Sequence, residues 1–398
     1  MTLVGFAGLL LALAAVYVAD IRGSRPRLVV FVLLYVLHAL ASVANYFVAE
    51  AAGSDAHFYY YDRYQFFGYT EGLGTPFILN IVQYLKMYFA GTFFDYFMLF
   101  QAVGFWGLVF IYKTFHEIFA EVCEYQPNWS YLALFLPGLH YWTGAIGKDG
   151  PIFLSIAMSI WAALHLKKRL FALGFAIALM MAVRPHIAIL ALIALAFAAL
   201  FDRRTGILLK GLLVAGVAAG AVVVVISLSA TIRVDVSDAE SVSEYWAARG
   251  NLDESSGADR SIIEGSLPLK IFTLWLRPFF LDAENSMGYI ASLENAVLLL
   301  MFAMVAWNWR LLRTAFWKVM YIRYSAVLFV ALTVLLGAVN YNVGLGLRQK
   351  MMAMPCLLAI LMTLIAIRLA QREQREQNDG ASLRPAIPTP PVPYSPRR

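Results

Sequence analysis

Apolar residues in this chain come in runs long enough to cross a lipid bilayer, and that constrains its fold more than any other feature. Crossing the hydrocarbon layer takes about 20 predominantly apolar residues, within a range of roughly 17 to 25. Runs of this kind lie near 2–19, 28–48, 95–113, 130–146, 151–166, 170–183, 187–201, 206–228, 290–307, 319–339 and 351–369. The pattern predicts an all-α, polytopic transmembrane bundle of about eleven spans. Composition agrees: of 398 residues, 61% are hydrophobic and only 14% charged. A soluble domain carries roughly 25% charged residues. A cytosolic enzyme, a secreted disulfide scaffold and a nucleic-acid-binding domain are excluded. The pieces between 130 and 201 are short for spans, which is the signature of tilted, broken or re-entrant segments.

The first apolar run is followed within ten residues by a second, so it reads as a retained helix. Orientation follows from the loop cations, because Lys and Arg favour the cytoplasmic side. With eleven spans, 20 of the 31 basic residues fall on one face, in alternate connections and the tail. That face is expected to be cytoplasmic, with the N-terminus outside and the C-terminus inside. The formal net charge of +6 is then an insertion signal. The outer face is net acidic, and its cations are exceptions. The chain divides into a transmembrane domain over 1–370, with outer loops 49–94 and 229–289, and a Pro-rich tail over 371–398 expected to be disordered. No internal repeat supports an inverted-repeat transporter. Cys123 and Cys356 suggest two unpaired thiols and no metal–thiolate site.

Unusual residues collect on the outer face. The first outer loop carries Asp55, His57, Asp62 and Arg63 among many aromatics. Within it, 77–90 places Ile78, Ile81, Val82, Leu85 and Phe89 on one helical face and Asn80, Gln83 and Lys86 off it, the pattern of an interfacial amphipathic helix. Asp55 directly follows a span and so stands at the membrane mouth. Lys148 and Asp149 interrupt an apolar stretch beside Gly144, Gly147, Gly150 and Pro151, which predict a turn. Adjacent, they read either as a self-compensating pair or as a functional one. Arg184-Pro185-His186 separates two apolar runs, and an arginine at such depth costs a few kcal/mol unless a carboxylate or phosphate receives it. Arg348 and Lys350 flank the last span. Lys350 fits snorkelling at a helix end, and Arg348 fits an anion site. The later part of the second loop, around Arg277 and Pro278, reads as an interfacial or re-entrant segment over the bundle.

A carboxylate and isolated cations at headgroup depth suit a lipid-linked phosphate or pyrophosphate. Arginine grips phosphate with a planar fork and lysine adds a point charge. A carboxylate such as Asp55 can accept the proton of an attacking sugar hydroxyl, and the cations can stabilise the departing phosphate. Two acids, Asp55 and Asp62, are too few to indicate a metal, and no cofactor is implied.

The stretches GSDAHFYYYDRY, PGLHYWTGAIGKDGP, AVRPHIAI and GLGLRQKMMAMP carry a resemblance. The sequence resembles the bacterial polytopic polysaccharide-biosynthesis proteins, a group spanning EpsG-like and O-antigen-polymerase-like proteins and the C-type (GT-C) glycosyltransferases. By layout the similarity covers most of the chain; by residue it covers short motifs. It implies an inner-membrane glycosyltransferase or glycan polymerase. Its partners would be a polyprenyl-linked sugar donor, a glycan or lipid-linked acceptor and membrane lipid, with no nucleic acid. In the C-type enzymes an acid in the first outer loop, followed by amphipathic helices, is the expected base, which points to Asp55. In polymerase-like proteins outward arginines are expected to hold carrier pyrophosphate, which points to Arg184 and Arg348. Lys148, Asp149, His186, Arg63 and Arg277 complete the expected substrate-binding set, Asp149 by orienting Lys148 or holding sugar hydroxyls. The chain departs from a typical C-type enzyme in its extra leading span and in having no large soluble C-terminal domain. Two other classes remain open at this point. A flippase for a lipid-linked glycan would need charges lining a path from both faces. A membrane acyltransferase would need a cavity histidine such as His140 or His186.

Overall fold

A computed structural model describes residues 2–18, 25–61, 72–123, 125–232, 262, 265–283, 285–340 and 342–382. The described residues are all helical or in connections between helices, with no sheet. In chain order the α-helices are α1 (Leu3–Val18), α2 (Arg25–Ala52), α3 (Asp55–Tyr61), α4 (Thr75–Phe89), α5 (Phe93–Val122), α6 (Pro137–Tyr141), α7 (Asp149–Leu164), α8 (Leu170–Val183), α9 (Pro185–Leu200) and α10 (Ile207–Ile232). They continue as α11 (Leu267–Leu276), α12 (Ser286–Trp307), α13 (Trp309–Lys318), α14 (Met320–Ala338), α15 (Val343–Gln349) and α16 (Met354–Ser382).

Five of these, α2, α5, α12, α14 and α16, are long and apolar enough to cross a membrane. Six shorter apolar helices, α1 and α7 to α11, accompany them. The chain is a multi-pass membrane protein. Large apolar side chains on the outside of the bundle, such as Phe171, Leu208 and Trp307, fit that setting, because lipid rather than water covers them.

The core is built around α5, which packs most closely with α7 and α1 and also meets α16 and α2. Its buried face is largely aromatic, including Tyr96, Phe97, Phe105, Tyr112, Phe115 and Phe119. Helices α5 and α7 run in the same direction. Gly104 lies against Gly150 near the start of α7, and Glu117 meets His165 and Arg169 just past its end. A side chain at Gly104 would collide with the Thr143 carbonyl, so this close approach requires glycine.

The run 130–146 is not a single helix. It forms a 3-10 helix over Asn128–Phe135, the one-turn helix α6 and a series of turns leading into α7. Carbonyls freed by this irregular path find side-chain partners, as backbone away from water requires. Ser42 Oγ donates to the Gly144 carbonyl at 2.7 Å and Asn45 Nδ2 to the Tyr141 carbonyl at 3.2 Å. His140 Nε2 lies 2.8 Å from the Leu134 carbonyl. Proline at 137 and the glycines at 138, 144 and 147 explain why a helix does not form through this stretch.

Residues 371–382, expected to be disordered, are helical instead. Helix α16 continues through Ser382, because its Arg, Glu and Gln residues are good helix formers even where nothing packs on them. The Pro-rich residues from 383 onward lie outside the described residues, as do most of the second outer loop, Asp62 and Arg63.

The amphipathic segment of the first outer loop is α4, with Ile78, Leu79 and Val82 buried. Its polar face is not simply solvated. Gln83 Nε2 donates to the Tyr59 carbonyl at 3.0 Å and Lys86 Nζ to the Tyr60 carbonyl at 2.5 Å, tying α4 to α3. Cys123 and Cys356 are both buried and unpaired.

Candidate functional site

Four elements distant in sequence bring charged residues together at one end of the bundle. Asp55 is the first residue of α3 and Asp149 the first of α7. A carboxylate in the first helical turn is favoured by the N–H groups there. Pro185 opens α9 and forces the preceding residue out of helical geometry. Arg184 therefore has extended backbone between α8 and α9, with φ −146° and ψ 83°. Arg348 lies in α15, whose start is capped by Asn342 Oδ1 accepting from the Gly344 amide at 2.6 Å.

Their side chains form a chain of ion pairs running inward from the surface. Arg348 Nη1 donates to Asp55 Oδ2 at 2.5 Å. Arg348 Nε donates to Asp149 Oδ2, also at 2.5 Å. Arg184 Nη2 donates to Asp149 Oδ1 at 3.1 Å. Side-chain exposure rises from 8% at Asp149 through 14% at Arg184 and 21% at Arg348 to 59% at Asp55. Asp149 is thus a buried anchor between two guanidiniums, and Asp55 is the reachable end. Arg184 Nε is buried without a protein partner. A buried guanidinium N–H left unpaired is costly unless something accepts from it.

Lys148 turns away from its neighbour Asp149. Its Nζ donates to Thr75 Oγ1 at 2.8 Å, at the start of α4. Burial, followed by the positive charge of Arg184, pushes its ammonium down to about 8. The buried Tyr59 hydroxyl also bonds Thr75, and burial together with the nearby Asp55 carboxylate pushes it up to about 12. Three cations and two carboxylates leave the cluster with one net positive charge, so it suits an anion. The cluster is also recessed. Asp149 lies level with Gly104, eleven residues below the start of α5, or about 16 Å along the helix axis.

The structure therefore brings Asp55, Lys148, Asp149, Arg184 and Arg348 together. Asp149 does not orient Lys148, and both its oxygens are engaged by arginines rather than left for sugar hydroxyls. His186 sits exposed on the first turn of α9, at the cluster's edge. Arg277 is not part of the cluster: it pairs with Asp282 at 3.1 Å across the turn after α11. Lys350 does not snorkel. It is fully buried, and its ammonium donates to Asn295 Oδ1. Among the described residues, no group of three or more His, Cys, Asp or Glu is placed to hold a metal ion.

Sequence reasoning missed Tyr59, Thr75, Glu294 and Asn295. For Tyr59 and Thr75 there was no signal, since an aromatic or hydroxyl residue at the membrane boundary is ordinary. For Glu294 there was one: an acid inside an apolar run is rare enough to call for a role.

No protein-family model, no curated protein and no solved structure matches this chain. What it does has to be read from its own residues.

Proposed function

We propose that this multi-pass membrane protein is a glycosyltransferase or glycan polymerase. It would transfer sugar from a polyprenyl phosphate or pyrophosphate carrier at the outer face of a bacterial inner membrane, in cell-surface polysaccharide biosynthesis. The single observation that supports this most is the recessed cluster of Arg184, Arg348 and Lys148 ending in the exposed carboxylate of Asp55. It combines phosphate-binding cations with a reachable base at the level where a carrier's phosphate would lie.

The topology in this reading has eleven crossings, with the N-terminus outside and the C-terminus cytoplasmic. The irregular 130–146 segment counts as one of them. Helices α5 and α7 run in the same direction, so the chain between them must return across the bundle. Helix α8 has 14 residues and α9 has 16, lengths of about 21 and 24 Å. Both fall short of a hydrocarbon core of about 30 Å, which accounts for the depth of Arg184 between them.

In the reaction, Asp55 accepts the proton of an acceptor hydroxyl. The freed oxygen bonds to the anomeric carbon of the donor sugar. The bond from that carbon to the carrier phosphate oxygen breaks, and its electron pair leaves with the phosphate. Arg184 and Arg348 stabilise that charge, worth several kcal/mol when preorganised in a site shielded from water. Lys148, poised near neutrality, can donate a proton to the leaving oxygen. Arg348 holds Asp55 by Oδ2, which leaves Oδ1 for the hydroxyl. Of the two histidines an acyltransferase could use, His140 is buried against the Leu134 carbonyl and the ring of His38, and His186 is exposed at the cluster's edge.

The test is Asp55→Asn at unchanged membrane abundance. Glycan production is expected to fall by at least about a hundredfold, the usual contribution of a general base. Undiminished production would remove Asp55 as the base. Normal donor affinity in Arg184→Glu would remove the phosphate site.

A further inference from the structure

A cavity of about 310 Å³ lies between α6, α12 and α15. Arg348 belongs to the cluster, whereas its neighbour Leu347 lines this cavity together with Tyr141, Trp142, Ile290 and Met351. Glu294 is the single charged residue of the lining among the described residues. Ile290, one of its lining residues, is exposed. Glu294 stands in the third turn of α12, about 12 Å from its start, near the boundary between headgroups and acyl chains.

The carboxylate is deliberately seated. Glu294 Oε2 accepts from the Gly138 amide at 2.6 Å. A Cβ at Gly138 would lie 2.7 Å from Oε1 and 2.9 Å from Oε2, so only glycine leaves room for it. Yet Oε1 is buried with no partner. Lys350 lies near enough for its charge to act on Glu294, but its ammonium donates to Asn295 Oδ1 and leaves Oε1 without a hydrogen bond. A buried carboxylate oxygen left open is costly, and two aromatic side chains share its cavity. Carboxylate plus aromatic faces is the chemistry that recognises an ammonium group.

We infer that this cavity is a binding site for an amphiphile carrying an ammonium group, whose charge would be received by Glu294 while its apolar body lies along Ile290, Leu347 and Met351. The one charged group lining this cavity is a carboxylate, whereas cations outnumber carboxylates in the neighbouring cluster. It does not depend on the glycosyl-transfer reading. Two sources share this chemistry, an aminolipid of the bilayer and a soluble amine.

The experiment uses the full chain purified in detergent. Native mass spectrometry counts retained phosphatidylethanolamine against phosphatidylglycerol, and calorimetry measures hexylammonium against hexanol. The expected result is preferential binding of at least one amine, weakened at least about tenfold in Glu294→Gln, the loss of one charge-assisted hydrogen bond. Retention of the aminolipid with no hexylammonium binding identifies a bilayer ligand, and the reverse identifies a soluble one. If Glu294→Gln does not fold, Leu347→Trp fills the cavity and must abolish the same binding. Equal binding of hexanol and hexylammonium with no aminolipid preference, no amine binding at all, or amine binding unchanged in the variants overturns the inference.

Discussion

Asp149 is the residue on which the cluster's geometry depends, and Asp149→Asn is the perturbation that isolates it. The side chain is 8% exposed and carries an arginine on each oxygen, at 3.1 and 2.5 Å. Asparagine keeps the shape and one acceptor but removes the charge, raising the cluster from one net positive charge to two. Breaking a buried pair by removing one partner costs about 3–5 kcal/mol, mostly because the remaining charge is stranded. Here two cations are stranded, each only slightly exposed, so the expected loss is in that range. Arg184→Met alone costs less, about 1–2 kcal/mol, because Asp149 keeps Arg348. Once Asp149 is neutral, removing Arg184 relieves repulsion, so the double variant should be more stable than the sum of the singles by about 1–3 kcal/mol. The assay is reversible unfolding of the purified chain in micelles, followed by tryptophan emission. Additivity within about 0.5 kcal/mol would refute the shared pairing and leave Asp149 as an independent residue.

Two further outcomes follow from the same cluster. Arg348→Lys preserves charge but replaces two donor nitrogens at separate positions, Nε on Asp149 and Nη1 on Asp55, with one ammonium, so transfer by the purified protein should drop about tenfold or more in kcat/KM, and full activity would contradict the bridging role. Donor affinity should fall as pH rises through about 8, where Lys148 loses its proton, and Lys148→Arg should flatten that profile. The sign for stability is opposite: the folded lysine releases its proton earlier than the unfolded one, so its contribution to stability grows between about pH 8 and 10.5. A binding profile that is flat in the wild-type chain would exclude Lys148 from the anion site.

Five residues of the cluster were readable as candidates because an ionisable side chain among apolar runs is expensive and stands out at once. Arg184 beside Pro185 and the Lys148-Asp149 step are such interruptions. Their partnership was not readable. Lys148 and Asp149 look like a pair when adjacent in sequence, but the turn before α7 sends one to Thr75 and the other to Arg184 and Arg348. Arg277 was expected in the substrate-binding set, yet it pairs with Asp282, five residues away.

The sequence by itself determined that this chain belongs in a membrane and is helical there. Lipid offers no hydrogen bonds, so apolar runs of this length have to satisfy their backbone internally. Tertiary structure decided which charges meet. Arg348 reaches across 293 residues to Asp55 and 199 to Asp149. Contacts of that kind come from tertiary packing, with α3 on α4 and α2, α7 on α5 and α8, and α15 on α11 and α14, which no local pattern encodes. It also decided where the irregular 128–148 path, already broken by Pro137 and its glycines, finds donors, because Ser42 and Asn45 of α2 donate to the Gly144 and Tyr141 carbonyls. And it decided that Glu294, one acid in an apolar run, would stand beside a glycine that leaves its carboxylate room and a cavity that leaves it open.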